Sequence, residues 1–158
     1  MGDVVEDRVD VTPIDDQQRL FVSSRIDDWS CIDEHRISVI VDLESRLDAG
    51  IPSADGTRLY LYFPFEDDSV PDPSMIQPLA AFLAELYHGG HRVLVHCSMG
   101  LNRSPLVAGV VLHYLGWKGC DAVERLRQRR PGALFNAHYS GYLEGLTDRS
   151  RQAAGPER

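Results

Sequence analysis

His96-Cys97-Ser98-Met99-Gly100-Leu101-Asn102-Arg103-Ser104 lies between a strand-like run, Arg92-Val93-Leu94-Val95, and a longer apolar run from Leu106 to Leu115. The first run has the length and β-branched content of a buried strand, and the second has the length of a helix. A loop that joins a strand end to a helix start gathers backbone N–H groups at one point, and the helix dipole adds partial positive charge there. The stretch therefore predicts an anion-binding loop. Gly100 lets the backbone curl without a Cβ clash, and Arg103 can return to the same centre with a planar fork that holds two oxygens. A thiol at a helix N-terminus beside an arginine is favoured as the thiolate, so Cys97 reads as a nucleophile.

Outward from this loop, strand and helix signals alternate. Arg19 to Val22, Ile37 to Leu43 and Arg58 to Phe63 are β-type runs, the middle one nearly continuous in β-branched residues as a buried strand would be. Between the first two, Ile26 to His35 suits a helical turn with Trp29 and Ile32 inward, and Gly50-Ile51-Pro52 with Asp55-Gly56 marks a turn before the third. From Ser74, Met75, Leu79, Phe82, Leu83 and Leu86 recur at helical spacing until Gly89-Gly90. The run from Leu106 to Leu115 is apolar on more than one face, which predicts a helix buried in the middle of the fold. Asp121 to Arg129 forms another helix with Ala122, Val123 and Leu126 inward, and Asn136 caps a last one reaching about Leu146. This order predicts an α/β single domain, a central mostly parallel sheet flanked by helices. Residues 1–16 read as an acidic, solvated arm, 17–150 as the folded domain and 151–158 as a flexible tail.

Composition narrows the function. A chain of 158 residues with 43% hydrophobic content can bury one core. Sixteen basic residues against 24 acidic ones give a net charge of -8, which argues against partners that are nucleic acid or an anionic membrane. The three cysteines, Cys31, Cys97 and Cys120, are an odd number without a CxxC pair, and no leader or long apolar run accompanies them. The expected location is cytoplasmic, with the nucleus left open, where a nucleophilic thiol stays reduced. Cys31 and Cys120 read as packing residues. His88 and His91 flank Gly89-Gly90 without a complete ligand set, so neither a metal nor any other cofactor is expected.

Sulfur attack on a phosphomonoester leaves an alkoxide or phenoxide that needs a proton, so a carboxylic acid has to reach the loop. The acidic, proline-broken segment Phe65 to Pro73 supplies Glu66, Asp67, Asp68 and Asp72. Asp67 lies near the C-terminal end of the Tyr60-Phe63 strand, and parallel strands bring such ends together. Ser104 follows Arg103, where its hydroxyl can hydrogen-bond the sulfur and ease thiolate departure in a second, hydrolytic step.

The residues HCSMGLNRS resemble the signature HCxxGxxR, followed by Ser or Thr, of the cysteine-dependent protein tyrosine phosphatases, in their compact dual-specificity branch. The resemblance extends to Tyr60-Leu61 ahead of the acidic loop, to Val93-Leu94-Val95 and to Arg130-Pro131 leading towards Asn136, and covers roughly residues 19 to 147. It departs at Phe135, where relatives often place a proline before the asparagine. It implies Cys97 as nucleophile, Arg103 as transition-state clamp and Asp67 as general acid, with Asp68 as the second choice. The backbone from Ser98 through Met99, Gly100, Leu101 and Asn102 to Arg103 would cradle phosphate, His96 would orient the loop, and Ser104 would assist the second step. Within the Arg125 to Arg130 cluster, the family position of Arg130 is the one that can touch substrate.

The implied activity is hydrolysis of phosphotyrosine in proteins through a cysteinyl-phosphate, extending to phosphoserine and phosphothreonine if the site is shallow. A phosphorylated protein is the implied partner, and the oligomeric state is open. Phosphoinositide substrates fit less well because Ser98, Met99, Leu101 and Asn102 are uncharged, and RNA 5′-triphosphates less well because of the net charge. A non-catalytic phosphoprotein-binding module would need a defect outside the loop. A rhodanese-like sulfur transferase would leave Asp67 and Ser104 without roles.

Overall fold

The structure is a computed structural model that describes residues 10–51 and 56–147. Most of the acidic arm, part of the turn after Gly50 and the tail from Gln152 to Arg158 lie outside the described residues. The elements run β1 (Thr12–Pro13), β2 (Leu20–Ser23), α1 (Ser30–Glu34), β3 (Val39–Asp42), β4 (Leu59–Tyr62), α2 (Pro73–His88), β5 (Val93–His96), α3 (Arg103–Tyr114), α4 (Gly119–Arg129) and α5 (Ala137–Glu144).

The five strands form one sheet in the order β1-β2-β5-β3-β4, parallel except for β1. Side chains alternate across it. Leu20, Val22, Val39, Val41, Val93 and Val95 face the larger core with α2 to α5, while Phe21, Ile40 and Leu94 face a smaller one with Ile26, Cys31 and Ile32. Burial on both faces is why these strands read as continuous apolar runs in the sequence.

Helix α3 runs through the middle of the larger core. Every residue from Ser104 to His113 is buried, as its all-round apolar character predicts. It packs against α2, α4, α5, β2 and β5. At Gly119 an added Cβ would sit 1.8 Å from the Leu143 carbonyl oxygen, so a residue without a side chain is needed where α4 meets α5.

Two expectations change. In α2 the buried stripe is Ile76, Ala80, Leu83, Ala84 and Tyr87, while Met75 and Phe82 are exposed. Asp72 caps this helix by accepting from the Ser74 N–H at 2.9 Å, and Pro73 takes the first helical position, where no N–H is needed. The described part of the acidic arm is also built into the fold. Thr12–Pro13 pairs with β2 at the sheet edge, and Ile14 and Asp15 are buried. Asp15 accepts from the N–H groups of Arg19 and Leu20, both at 2.9 Å, and from the Tyr87 hydroxyl at 2.6 Å. A carboxylate with three donors tolerates burial, so counting charges along the arm placed the surface too far into the chain.

Candidate active site

The sheet register puts Ser23, His96 and Asp42 side by side at the C-terminal strand ends, with Tyr62 beside Asp42. The loop from Cys97 to Asn102 leaves β5 at that edge and enters α3 at Arg103, between two parallel neighbours. Ligands of open α/β sheets bind at such a crevice.

Five successive carbonyls of the loop are turned towards protein donors. Ser98 O accepts from Arg25 N at 3.2 Å, Leu101 O from Leu134 N at 2.7 Å and Asn102 O from Leu106 N at 2.9 Å. Met99 O and Gly100 O accept from the Arg130 guanidinium, through Nη2 at 3.1 Å and Nε at 2.6 Å. Because a trans peptide points its N–H opposite to its C=O, outward carbonyls leave the following N–H groups facing the inside of the curl. Gly100 sits at φ +69°, and a Cβ there would approach the Ser23 carbonyl and Arg130 to within 2.6–2.7 Å, so glycine is required on both counts.

The Cys97 sulfur lies within this curl, 2% exposed as a residue, accepting from the Gly100 N–H at 3.2 Å and 3.3 Å from Ser104 Oγ. Arg103 begins α3 and anchors its guanidinium through Nη1 to the carbonyls of Leu43, at 3.3 Å, and Phe65, at 3.0 Å. Its remaining edge is available to an anion. Ser45, Pro64, Phe65, Glu66, Asp67 and Arg103 line an open cavity of about 360 Å³.

Asp67 comes to the loop from the segment after β4. Its Oδ2 accepts from Asn102 Nδ2 and its Oδ1 from Asn136 Nδ2, each at 2.8 Å. Asp68 is held by its main chain: its N–H donates to the Tyr139 hydroxyl at 3.1 Å and its carbonyl accepts from Asn136 Nδ2 at 2.9 Å. Tyr139 also donates to Glu66 O at 2.9 Å, and burial pushes its phenol up to about 12, so it stays a proton donor at neutral pH. Asn136, read in the sequence as a helix cap, does accept from the His138 N–H at 3.0 Å, and its amide nitrogen does this second job.

Arg130 is 6% exposed and lies behind the loop, bound to Met99, Gly100, Asp10 and Thr12. It supports the loop from the back instead of facing a substrate. An arginine before Pro131 at a helix end is its one sequence signal. Exposed Met99 and Phe135 stand at the rim, and Leu134 takes a left-handed φ of +60° just before Phe135.

Beneath the loop, His96 is fully buried among Asp42, Glu44 and Asp48. Its Nε2 is 2.8 Å from Asp48 Oδ2, while its Nδ1 has no hydrogen-bond partner among the described residues. Tyr60 donates to Asp42, lies 3.2 Å from Asp48 Oδ2 and accepts from the Asp48 N–H at 3.0 Å. Burial pushes the carboxyls of Asp42 and Glu44 up and also raises the Tyr60 phenol. Donor atoms of these four residues lie within 4.8 Å of one another, so by type and spacing they could hold a metal ion. As arranged here, Asp42 accepts hydrogen bonds from the Tyr60 hydroxyl and the Glu44 N–H, and Asp48 Oδ2 pairs with His96 Nε2. Sequence reading identified His96 and missed its partners, which lie on another strand and its following loop.

Comparison with known proteins identifies the family. The dual specificity phosphatase catalytic domain family matches residues 20–148. Protein tyrosine phosphatase type IVA 3 of Mus musculus is 34% identical over 91 residues, which are 56% of this chain and 52% of that protein. Tyrosine-protein phosphatase vhp-1 of Caenorhabditis elegans is 27% identical over 128 residues, 78% of this chain and 19% of that protein. The chain thus spans about half the length of the first and about a fifth of the second. Among solved structures, a mouse dual specificity phosphatase complexed with zinc tungstate superposes with a TM-score of 0.76 over 97% of this chain and 95% of that one, at 22% identity. At that identity the likeness speaks to the fold alone.

Proposed function

Since the chain belongs to the dual specificity phosphatase catalytic domain family, we propose that it hydrolyses phosphate monoesters on proteins, phosphotyrosine first, through a cysteinyl-phosphate on Cys97. The observation that carries this reading is the set of outward carbonyls from Ser98 to Asn102, which leaves the N–H groups of the curl around the Cys97 sulfur for a tetrahedral anion.

In the first step the Cys97 thiolate attacks phosphorus and the bond to the substrate oxygen breaks. Asp67, as the carboxylic acid, gives its proton to that leaving oxygen. Arg103 and the loop N–H groups hold the equatorial oxygens, whose charge grows in the transition state. In the second step water attacks phosphorus, Asp67 takes the water proton, and the sulfur departs as thiolate. Ser104, 3.3 Å from that sulfur, hydrogen-bonds it as it leaves. Phosphate is released and the thiolate is regenerated.

The catalytic unit is taken as β1 through α5, since Thr12–Pro13, Ile14 and Asp15 are built into the sheet and core. A cytoplasmic location follows from the need to keep Cys97 reduced; among the described residues no helix is long and apolar enough to cross a membrane. A phosphorylated protein is the proposed partner, and the open cavity beside Asp67 suits phosphoserine and phosphothreonine as well as phosphotyrosine.

The test is Cys97→Ser. Turnover of phosphotyrosine peptides should vanish while peptide binding persists, and in native protein a rapid quench during turnover should trap phosphate on Cys97. Substantial turnover by the serine variant would overturn the proposal.

A further inference from the structure

We propose that the Asn102 side chain is a positioning residue for Asp67, tying the acid's segment to the start of α3, and that it does not contact substrate. The inference rests on the reading of Asp67 as general acid.

Asn102 is the residue at the N-cap of α3 and is 3% exposed. An asparagine there ordinarily turns its side-chain oxygen back to accept from an N–H of the first turn. Asn102 makes no such bond. Its Oδ1 instead accepts from the Asn136 N–H at 3.0 Å, and its Nδ2 donates to Asp67 Oδ2 at 2.8 Å. Two consequences follow. The first-turn N–H groups of α3 stay uncapped by this side chain, so they remain available to the phosphate that the curl would hold. The general acid is also tied to the same loop that carries Cys97 and Arg103.

The arrangement needs a group that donates on one side and accepts on the other at one fixed reach. A carboxamide does both. An aspartate would set a second carboxylate against Asp67, and a serine, though a good cap, is too short to span the gap. Asn136 completes a bracket by donating to the other oxygen of Asp67 at 2.8 Å and to Asp68 O at 2.9 Å. Each carboxylate oxygen keeps a second lone pair, so Asp67 can carry its proton without leaving the bracket. The amides orient the acid and do not replace the proton it transfers.

The experiment compares native protein with Asn102→Ala and Asn102→Ser on a series of aryl phosphates, from dinitrophenyl to unsubstituted phenyl. Serine keeps a polar side chain that suits the N-cap position and so guards against misfolding. The measured quantity is kcat/KM, which reports the chemistry only through departure of the leaving group. Both variants should lose about 10- to 100-fold in kcat/KM on phenyl phosphate, less than the full worth of an acid catalyst, and only a few-fold on dinitrophenyl phosphate. Alkylation of Cys97 by iodoacetate, and its protection by inorganic phosphate, should match the native protein. In an Asp67→Asn background, Asn102→Ala should add less than about a 2-fold further loss, because the residue acts through the acid. Equal losses on all leaving groups with weaker phosphate protection would overturn the inference, as would native kinetics in Asn102→Ser or full additivity in the double variant. Asp67→Asn read alone separates the two levels: without leaving-group dependence in that variant the acid assignment itself fails. If the dependence is present there and absent in the Asn102 variants, this inference alone fails.

Discussion

His96 Nε2 lies 2.8 Å from Asp48 Oδ2, joining the residue that precedes the nucleophile to a side chain 48 positions earlier in the chain. Asp42 and Glu44 flank the same imidazole at 3.9 Å. The loop thus stands on a buried group of three carboxylates and one histidine. An uncompensated charge is expensive in such a place, and the structure answers with hydrogen bonds and with carboxyls shifted towards the neutral form.

That shift sets a pH dependence of stability. Burial raises the carboxyls of Asp42 and Glu44, so the folded protein holds their protons more tightly than the unfolded chain does. Their contribution is complete below the ordinary carboxylate range and is lost as pH rises through the raised values. Glu44→Gln, which imitates the protonated acid, should raise the melting temperature by a few degrees at mildly basic pH and have little effect at mildly acidic pH. Thermal melts across that window check it, and a glutamine variant that melts lower throughout would contradict it.

The three thiols should separate by reactivity. Cys31 is buried, donates to Asp28 O at 3.1 Å and is pushed up to about 11 by burial and by the neighbouring Asp28 charge, so almost none is thiolate at neutral pH. Cys120 is exposed. Iodoacetate with mass-spectrometric mapping should label Cys97 and Cys120 in the native protein and Cys31 only after denaturation. Phosphate should protect Cys97 alone. Labelling of native Cys31 as fast as Cys120 would show that the smaller core opens readily.

Removing Arg130 should damage the loop from behind. Arg130→Ala strips two loop carbonyls of their donor, and a hydrogen bond to a charged group contributes about 1.5–3 kcal/mol, so a stability loss of about 2–4 kcal/mol is expected. A freed carbonyl can also rotate towards the anion, which should lower kcat/KM by about 10- to 100-fold. Arg130→Lys should recover only part of this, since a point charge cannot replace the fork that reaches Met99 and Gly100 together. Denaturant melts and kinetics on one aryl phosphate measure both effects. Native activity in Arg130→Ala would mean that the curl holds its shape unaided.

Much of the molecule was legible because its signals are local. The strand runs, the all-round apolar helix after the loop, Asn136 as a cap and Gly100 in the curl each depend on residues within a few positions of one another. The arm was misjudged at Ile14 and Asp15 for the converse reason: their burial depends on Tyr87 and on the sheet edge. In α2 the period was right and the face was off, since a spacing rule cannot say whether Met75 or Ile76 meets the sheet.

By itself the sequence determined the α/β order and the loop with its cysteine, arginine and following serine, because backbone geometry and helix-end electrostatics act over short stretches. The tertiary structure alone decided who holds them: Asn102 and Asn136 on Asp67, Asp48 on His96, and Arg130 behind Gly100. Those partners sit 30 to 69 residues apart. Their pairing is set by how strands and helices pack and by the cost of leaving a buried polar group unmatched, neither of which any local pattern records.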